Sequence, residues 1–499
     1  MEANVIVMSE AGKPIFARRG SEEEIARQCG LFQALRTSVN GNKAFHLGEI
    51  QSLRSGKLCI VFMTVGSITL VAISRLEKNE ITETEAYLRL QLEYVFAQLI
   101  FTLTEQVQNV FQHNPSFDLR SMLTSSDSLM HGILDECGPN GKAGPFLVSG
   151  VQPVFPISPR VREHASKTLQ SIGGRTENTA FALLMVEDKL LSLVQPSFRA
   201  HQLRVSDLHL LLNFVSRQPG LHSSELWLPV CLPRFNSSGF LYAYTNCLDP
   251  ATKLCLVLIS PMNTTEQFQL FRVAAERIRD ELGLPVSHGS VLTIVNSKTA
   301  KEAGEKPDND VQWTRSESND IDDDYVEISG DGERMFQRNG TEECNLLQEL
   351  KNTEAPSTID DIVKECLDDD SIIHFLFRID VTVKNCSRHS SNGKGNLTQC
   401  LSPPIPFPFV DGSSKRRLWS HYQKMGLRLR LGSATVESSM DAFDMISQDE
   451  ADKDGSFPGI AKYCPAIGLL ESPPNVYGVT YILEGTEIFM AMNGRDFEL

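Results

Sequence analysis

Eleven histidines, eleven cysteines and 63 carboxylates are the residues here that could do chemistry, and their spacing assembles no catalytic set. There is no Gly-x-x-x-x-Gly-Lys-Ser/Thr loop to cradle phosphates, no His-Glu-x-x-His zinc helix and no Gly-x-Ser-x-Gly elbow. A kinase signature set is also missing. Two acidic triplets, Asp322 to Asp324 and Asp368 to Asp370, lack the alternating spacing and the glycine of a calcium loop. They read as solvated surface, with a metal site as the alternative. His209 stands between Leu208 and Leu210 in a helical pattern and reads as structural. The residues thus point to no enzyme active site, no metal and no cofactor.

Two stretches have the composition of contact surfaces. Lys415, Arg416 and Arg417 precede Trp419, a basic cluster beside an aromatic. Such a cluster can meet anionic lipid headgroups at about 1 kcal/mol per cation; the alternative is a solvated loop before a helix. The strip Ile405, Pro406, Phe407, Pro408, Phe409 is either a docking strip or packs into the neighbouring core.

The elements that would position such residues follow from periodicity. Residues 1–125 read β-β-α-β-β-β-α. Strands at 5–8 and 15–17 flank a turn with Gly12 and Pro14. Ser21 starts a helix, with Glu24 at capping-box spacing. Ile25, Leu31, Phe32, Leu35 and Val39 recur along it. Strands at 45–53, 58–65 and 68–73 precede a long helix expected over 82–110. Residues 126–158, rich in Gly and Pro, read as a linker. A second unit, 159–297, has similar ingredients in a similar order: a helix over 160–172, strands at 180–186 and 190–194, a helix over 205–216 with Leu208, Leu211, Leu212 and Val215 on one face, three strands, and a helix over 265–282. Two such layers make an α+β fold, each a mainly antiparallel sheet with helices packed on it.

The charge balance is uneven. The formal net charge is -16, and residues 301–370 alone hold 22 acidic against 7 basic side chains. Residues 298–371 therefore read as an acidic linker, disordered over 298–345. Globular sequence returns over 372–499, with a polar loop up to about Gln399 and a closing hairpin over Glu484 and Gly485. The acidic balance argues against nucleic acid. The N-terminus has no basic region followed by an apolar stretch, and the most apolar run, 58–73, is broken by Gly66 and Ser67. Scattered cysteines without Cys-x-x-Cys fit reduced thiols and a cytosolic chain.

Several ordered motifs resemble the SAND/Mon family of vacuolar fusion proteins. Val5 to Ile15, reading VIVMSEAGKPI, is similar to its opening signature, continued by Ser21, Glu22 and Glu23. Asn114 to Arg120, NPSFDLR, resembles the segment after its second helix. The closest stretches are Asp207 to Leu211 and Trp227 to Asn236, WLPVCLPRFN, running on through Tyr244. The resemblance implies three longin-like domains, the third divergent and possibly incomplete at residues 372–499. It also implies a heterodimer with a Ccz-family subunit that acts as a guanine nucleotide exchange factor for a late-endosomal Rab GTPase. Such a chain would be cytoplasmic and recruited peripherally to endosome and lysosome membranes. A trafficking scaffold without exchange activity is the alternative. In the family the first longin domain carries the working surface, so Ser9, Glu10, Lys13, Ser21 and Glu24 are the candidate contacts for GTPase or partner.

Overall fold

The computed structural model describes residues 3–40, 50–56, 58–75, 84–114, 117–123, 126–138, 143–196, 201–217, 225–284, 346–353, 372–385, 395–402, 415, 418–419, 422, 466–470, 476–483 and 486–493. In the first layer β1 (Asn4–Ser9), β2 (Pro14–Ala17), α1 (Glu22–Asn40), β3 (Ser52–Ser55), β4 (Leu58–Val65), β5 (Ile68–Arg75) and α2 (Glu85–Leu103) follow one another. The sheet is antiparallel in the order β2-β1-β5-β4-β3. Its residues alternate between faces, as the two-residue period of a strand requires. Val5, Val7, Leu70 and Ala72 pack toward α2, whereas Ile6, Met8, Phe62 and Val71 pack toward α1.

α1 buries Cys29 and Phe32, and Phe32 meets Phe62 edge-on at 5.6 Å. Arg36 completes that face by donating to Thr69 Oγ1 at 2.6 Å. Leu31, expected on the buried face, instead points outward and is 59% exposed. One residue is 100° of helix, so Leu31 cannot share a stripe with its neighbour Phe32 once Cys29 and Arg36 define it.

α2 begins at Thr84, whose side chain accepts from Tyr87 N. It ends earlier than expected, because Thr104 takes a positive φ of 62°. The chain turns there so that Glu105 N can bond Ser237 O at 2.8 Å, and α3 (Val107–His113) starts afresh. A non-glycine residue at this positive φ with extended ψ costs about 1–3 kcal/mol, which the contacts beyond the turn must offset.

The second layer repeats the first. After α7 (Pro159–Thr168) and a π-helical turn (Leu169–Gly173) come β6 (Phe181–Val186), β7 (Lys189–Gln195), α8 (Val205–Ser216), β8 (Leu226–Leu232), the one-turn α9 (Pro233–Asn236), β9 (Ser237–Asp249), β10 (Leu254–Ser260) and α10 (Thr265–Glu281). The order β7-β6-β10-β9-β8 matches that of the first sheet strand for strand. By this correspondence α8 is the counterpart of α1, and α10 that of α2.

The layers stack head to tail: α2 of the first meets α8 of the second. Both helices are buried nearly all round, α8 from Val205 to Val215 without a break. Tyr94 meets His209, Gln98 meets Asn213, and Phe101 lies 5.5 Å from Phe214. A single apolar stripe over 205–216 is therefore not what the structure shows.

Residues 126–158 are not a linker. After α4 (Arg120–Leu123) they form α5 (Asp127–Glu136) and α6 (Ala143–Leu147), which bury Leu129, Ile133, Leu134, Phe146 and Leu147 in the junction. The glycine count reflects close approach. A Cβ on Gly132 would lie 2.4 Å from Asn213 Oδ1 and 2.8 Å from Arg217 Nε.

α11 (Leu346–Thr353) packs on the second layer. β11 (Ile372–Asn385), β12 (Gly395–Leu401), β13 (Ala466–Leu470), β14 (Val476–Leu483) and β15 (Thr486–Asn493) extend the second sheet, β11 pairing in parallel with β7 at Lys384 and Asn385. The polar loop expected up to Gln399 is in part β12. The acidic triplets, the expected disorder over 298–345 and the strip 403–409 lie outside the described residues.

Gly132→Ala should crowd α5 against α8 and lower stability by about 1–3 kcal/mol. Urea unfolding would show it as a lower midpoint at an unchanged slope.

Candidate functional site

Two of the motifs, a hundred residues apart in sequence, meet on one exposed patch. The first is the β1–β2 turn. Ser9 N donates to Lys13 O, Gly12 N to Ser9 O, and Lys13 N to Ser9 Oγ. Gly12 has a φ of 78°, and a Cβ there would sit 3.2 Å from Gln33 Cβ of α1. The turn needs glycine for both reasons. Ser9 is fully buried, so it shapes the turn and is not a contact residue as expected. Glu10 is exposed, and its N–H bonds Ser67 O of the β4–β5 turn.

The second motif is the segment after α3. Asp118 accepts from Lys13 Nζ at 3.5 Å and from Arg120 Nε at 3.3 Å, while Arg120 Nη1 reaches Glu22 Oε1 at 3.0 Å. The Arg120 guanidinium, bonded to it directly, holds the Asp118 carboxyl below the usual range. Lys13, Asp118, Arg120 and Glu22 thus form one ion-pair chain tying turn, segment and helix start together. Ser21 and Glu24 stand at its edge, both exposed, with Glu24 N donating to Ser21 Oγ at 3.3 Å. Beyond them the outer face of α1 presents Arg27, Gly30, Leu31 and Ala34. Asp118, Arg120 and Leu31 were not singled out by residue type. Only the NPSFDLR motif carried a signal for the first two.

The third motif builds the junction. Asp207, fully buried, accepts from Arg234 N at 3.2 Å and Phe235 N at 3.0 Å, capping α9. Phe235 then packs edge-on to Phe181 at 5.3 Å. His209 bonds the Tyr94 hydroxyl through Nδ1 at 2.8 Å and the Gly150 carbonyl through Nε2 at 3.0 Å. A carbonyl only accepts, so Nε2 carries the proton and Nδ1 accepts from Tyr94. Burial pushes His209 down to about 4, against the opposing pull of the Gly150 bond. The ring is neutral and joins the first layer, the 143–151 segment and the second layer. Arg18 adds a further link: its buried guanidinium donates to Asp135 Oδ1 at 2.9 Å, and Arg217 lies 3.8 Å from Oδ2.

A cleft of about 570 Å³ opens beside the junction, between β4, α2 and α9. Phe96 and Ile100 line its floor, with Arg89, Glu93, Glu105 and Arg234 around it. Among the described residues no three His, Cys, Asp or Glu side chains gather as a metal site. No helix among them is long and apolar enough to cross a membrane. Of the proposed lipid contact, Arg416 and Arg417 lie outside the described residues and Lys415 is half-buried. Trp419 is buried at 1% exposure, 5.5 Å from His374 and 6.0 Å from Tyr422, so its ring belongs to the core and not to a membrane face.

Residues 3–133 match the first longin domain of FUZ, MON1 and HPS1, and residues 177–278 the second longin domain of the same group. Protein SAND of Takifugu rubripes is 32% identical over 258 residues, 52% of this chain and 46% of the relative. Human vacuolar fusion protein MON1 homolog A is 32% identical over 280 residues, 56% of this chain and 40% of the relative. The MON1 homolog of Oryza sativa subsp. japonica is 35% identical over 251 residues, 50% of this chain and 41% of the relative. In each case the match spans less than half of the relative's length. The fold and the matches define an α+β protein with two longin domains of the FUZ, MON1 and HPS1 class. Within that class the relatives that this chain resembles are SAND and MON1 vacuolar fusion proteins. Neither longin match reaches residues 372–499.

Because His209 titrates near 6.5 when unfolded and near 4 when folded, the unfolded chain takes up the proton first. Its stability contribution is complete above pH 6.5 and declines as pH falls toward 4, with about 2 kcal/mol lost by pH 5. His209→Gln should remove that part of the difference between urea unfolding at pH 7 and at pH 5. An equal pH difference in both proteins would place the effect elsewhere.

Proposed function

We propose that this chain is a subunit of a guanine nucleotide exchange factor that promotes vacuole or lysosome fusion by activating a late-endosomal Rab GTPase. Its partner in this reading is a Ccz-family subunit. The observation that carries the proposal is the asymmetry of the first longin domain. Its α2 side is used up by the second domain, while the α1 side presents an exposed face with Leu31, beside the ion-paired turn. The relatives' printed names, vacuolar fusion protein and Protein SAND, support the same reading. A third longin-like unit built on β11 to β15 belongs to the proposal, as does peripheral recruitment to endosomal membranes.

Exchange requires no nucleophile and no general base. A factor that binds the nucleotide-free GTPase more tightly than the loaded form lowers nucleotide affinity by the same factor, through linkage. Switch loops held in a conformation that fits Mg²⁺ and phosphate poorly would supply that difference. A rigid, shaped surface suffices, and Glu10, Lys13, Ser21, Glu24 and Leu31 stand on one.

The test is release of a fluorescent GDP analogue from the Rab, with this chain alone and with the chain co-purified with its partner. Faster release is expected only with the complex. Leu31→Glu should abolish the acceleration or the assembly while changing stability by no more than about 0.5 kcal/mol, as for an exposed side chain. A well-formed complex that leaves release at the intrinsic rate would overturn the proposal.

A further inference from the structure

Ser158 caps α7, its Oγ accepting from Val161 N at 3.3 Å. The same residue is held from outside by a carboxylate 191 positions along the chain. Glu349 of α11 accepts from Ser158 N through Oε2 and from Ser158 Oγ through Oε1, both at 2.7 Å. Leu346 and Leu350, on the same side of α11, are buried in the core that α7 and α10 share. Three side chains over one and a half turns therefore fasten α11, two by apolar burial and one by a doubly bonded carboxylate. An eight-residue helix is too short to persist alone in water, so its structure depends on this seat.

The sequence around Ser158 has a second property. It reads Pro156, Ile157, Ser158, Pro159. A serine followed by proline, with another proline two positions before, is the pattern that proline-directed kinases select. Four serines of the chain precede proline (Ser158, Ser260, Ser402 and Ser472), and only Ser158 has the earlier proline as well. Ser158 is half-buried under α11, and Pro159 and Arg160 beyond it are exposed.

We propose that Ser158 is a phosphorylation site for a proline-directed protein kinase, and that its phosphorylation releases α11 from the second longin domain. The γ-phosphoryl group of Mg-ATP passes to Ser158 Oγ. The Oγ–P bond forms, the bond to the ADP oxygen breaks, and the hydroxyl proton leaves with the kinase's base. The hydroxyl that donated to Glu349 is then gone, and a group of charge near −2 faces the carboxylate in its place. α7 tolerates the change, because a dianion at its cap lies at the positive end of the helix, where Val161 N already donates to the same oxygen. α11 does not, because the Glu349 carboxylate that anchors it to Ser158 becomes repulsive toward the phosphate. The kinase works on the fraction of molecules in which α11 is off, and the phosphate prevents its return.

The test uses the full chain, Mg-ATP and a purified kinase of the mitogen-activated class, with sites mapped by peptide mass spectrometry. Hydrogen exchange is then followed in peptides covering 346–353 and α8. Phosphate should appear at Ser158, and amides of 346–353 should exchange at least tenfold faster while α8 is unchanged. Glu349→Gln should blunt the release, since a neutral amide can donate to the phosphate. Phosphate placed only at other serines, or phosphorylated Ser158 with unchanged exchange over 346–353, would overturn the proposal.

Discussion

The contact between α2 and α8 is the constraint on which the rest of the chain depends. Two longin sheets of identical strand order could be joined in many ways. Here each contributes a helix buried nearly all round, with α2 keeping an edge of Arg89, Glu93 and Phe96 toward the cleft. A helix with apolar residues on more than one face needs cover on more than one side, and each of these two covers part of the other. Fully burying a Leu or Phe side chain contributes about 1.5–3 kcal/mol, and α8 alone buries Leu208, Leu210, Leu211, Leu212 and Phe214. The polar rungs Tyr94–His209 and Gln98–Asn213 add little net energy but fix register, since a one-turn slip would strand buried donors and acceptors. The short helices of 126–147 fill the remaining gap, and Gly132 of α5 lets α8 approach where a Cβ would meet Asn213 and Arg217.

That junction also decides which surfaces remain. Head-to-tail stacking spends the α2 face of the first domain and the α8 face of the second. What is left outward is the amphipathic pair, α1 and α10. α10 carries α7 and α11 beside it, so α1 is the plainer face, and the turn motif and the NPSFDLR motif both converge at its start. The ion-pair chain there is exposed and screened by solvent, so it adds little to stability. Its effect is geometric: it fixes the turn, the segment and the helix start relative to one another.

Much of this was legible from periodicity. The β-β-α-β-β-β-α order, the repeat and the 205–216 helix all follow from where apolar residues recur. What sequence could not separate was burial from one side and burial from two. Periodicity over 205–216 picks out one stripe, whereas Leu210 and Phe214 off that stripe mark a second covered face. Leu31 failed for the opposite reason: one apolar residue between two better-placed neighbours carries no phase of its own. Gly and Pro in 126–158 suggested a loop, because composition cannot tell a glycine that turns the chain from one that lets a helix approach. Ser9 looked like a surface turn residue, and only the bonds from Lys13 and Gly12 show why a serine is needed inside the turn.

The family motifs gain a physical meaning from their placement. Asp207, His209 and the residues around Pro233 and Phe235 resemble catalytic types in isolation, an acid and a base close in sequence. Their partners are backbone N–H groups, a tyrosine hydroxyl and a carbonyl, all internal. A base held neutral at pH 7, with both ring nitrogens already bonded, has no free lone pair to offer a substrate. His209 ties the second domain to the first, while Asp207 and Phe235 fix α9 within the second. A protein whose most recognisable residues hold one domain against another is built to keep a surface rigid. Rigidity is what differential binding demands, because a platform that deformed to fit both states of its partner would favour neither.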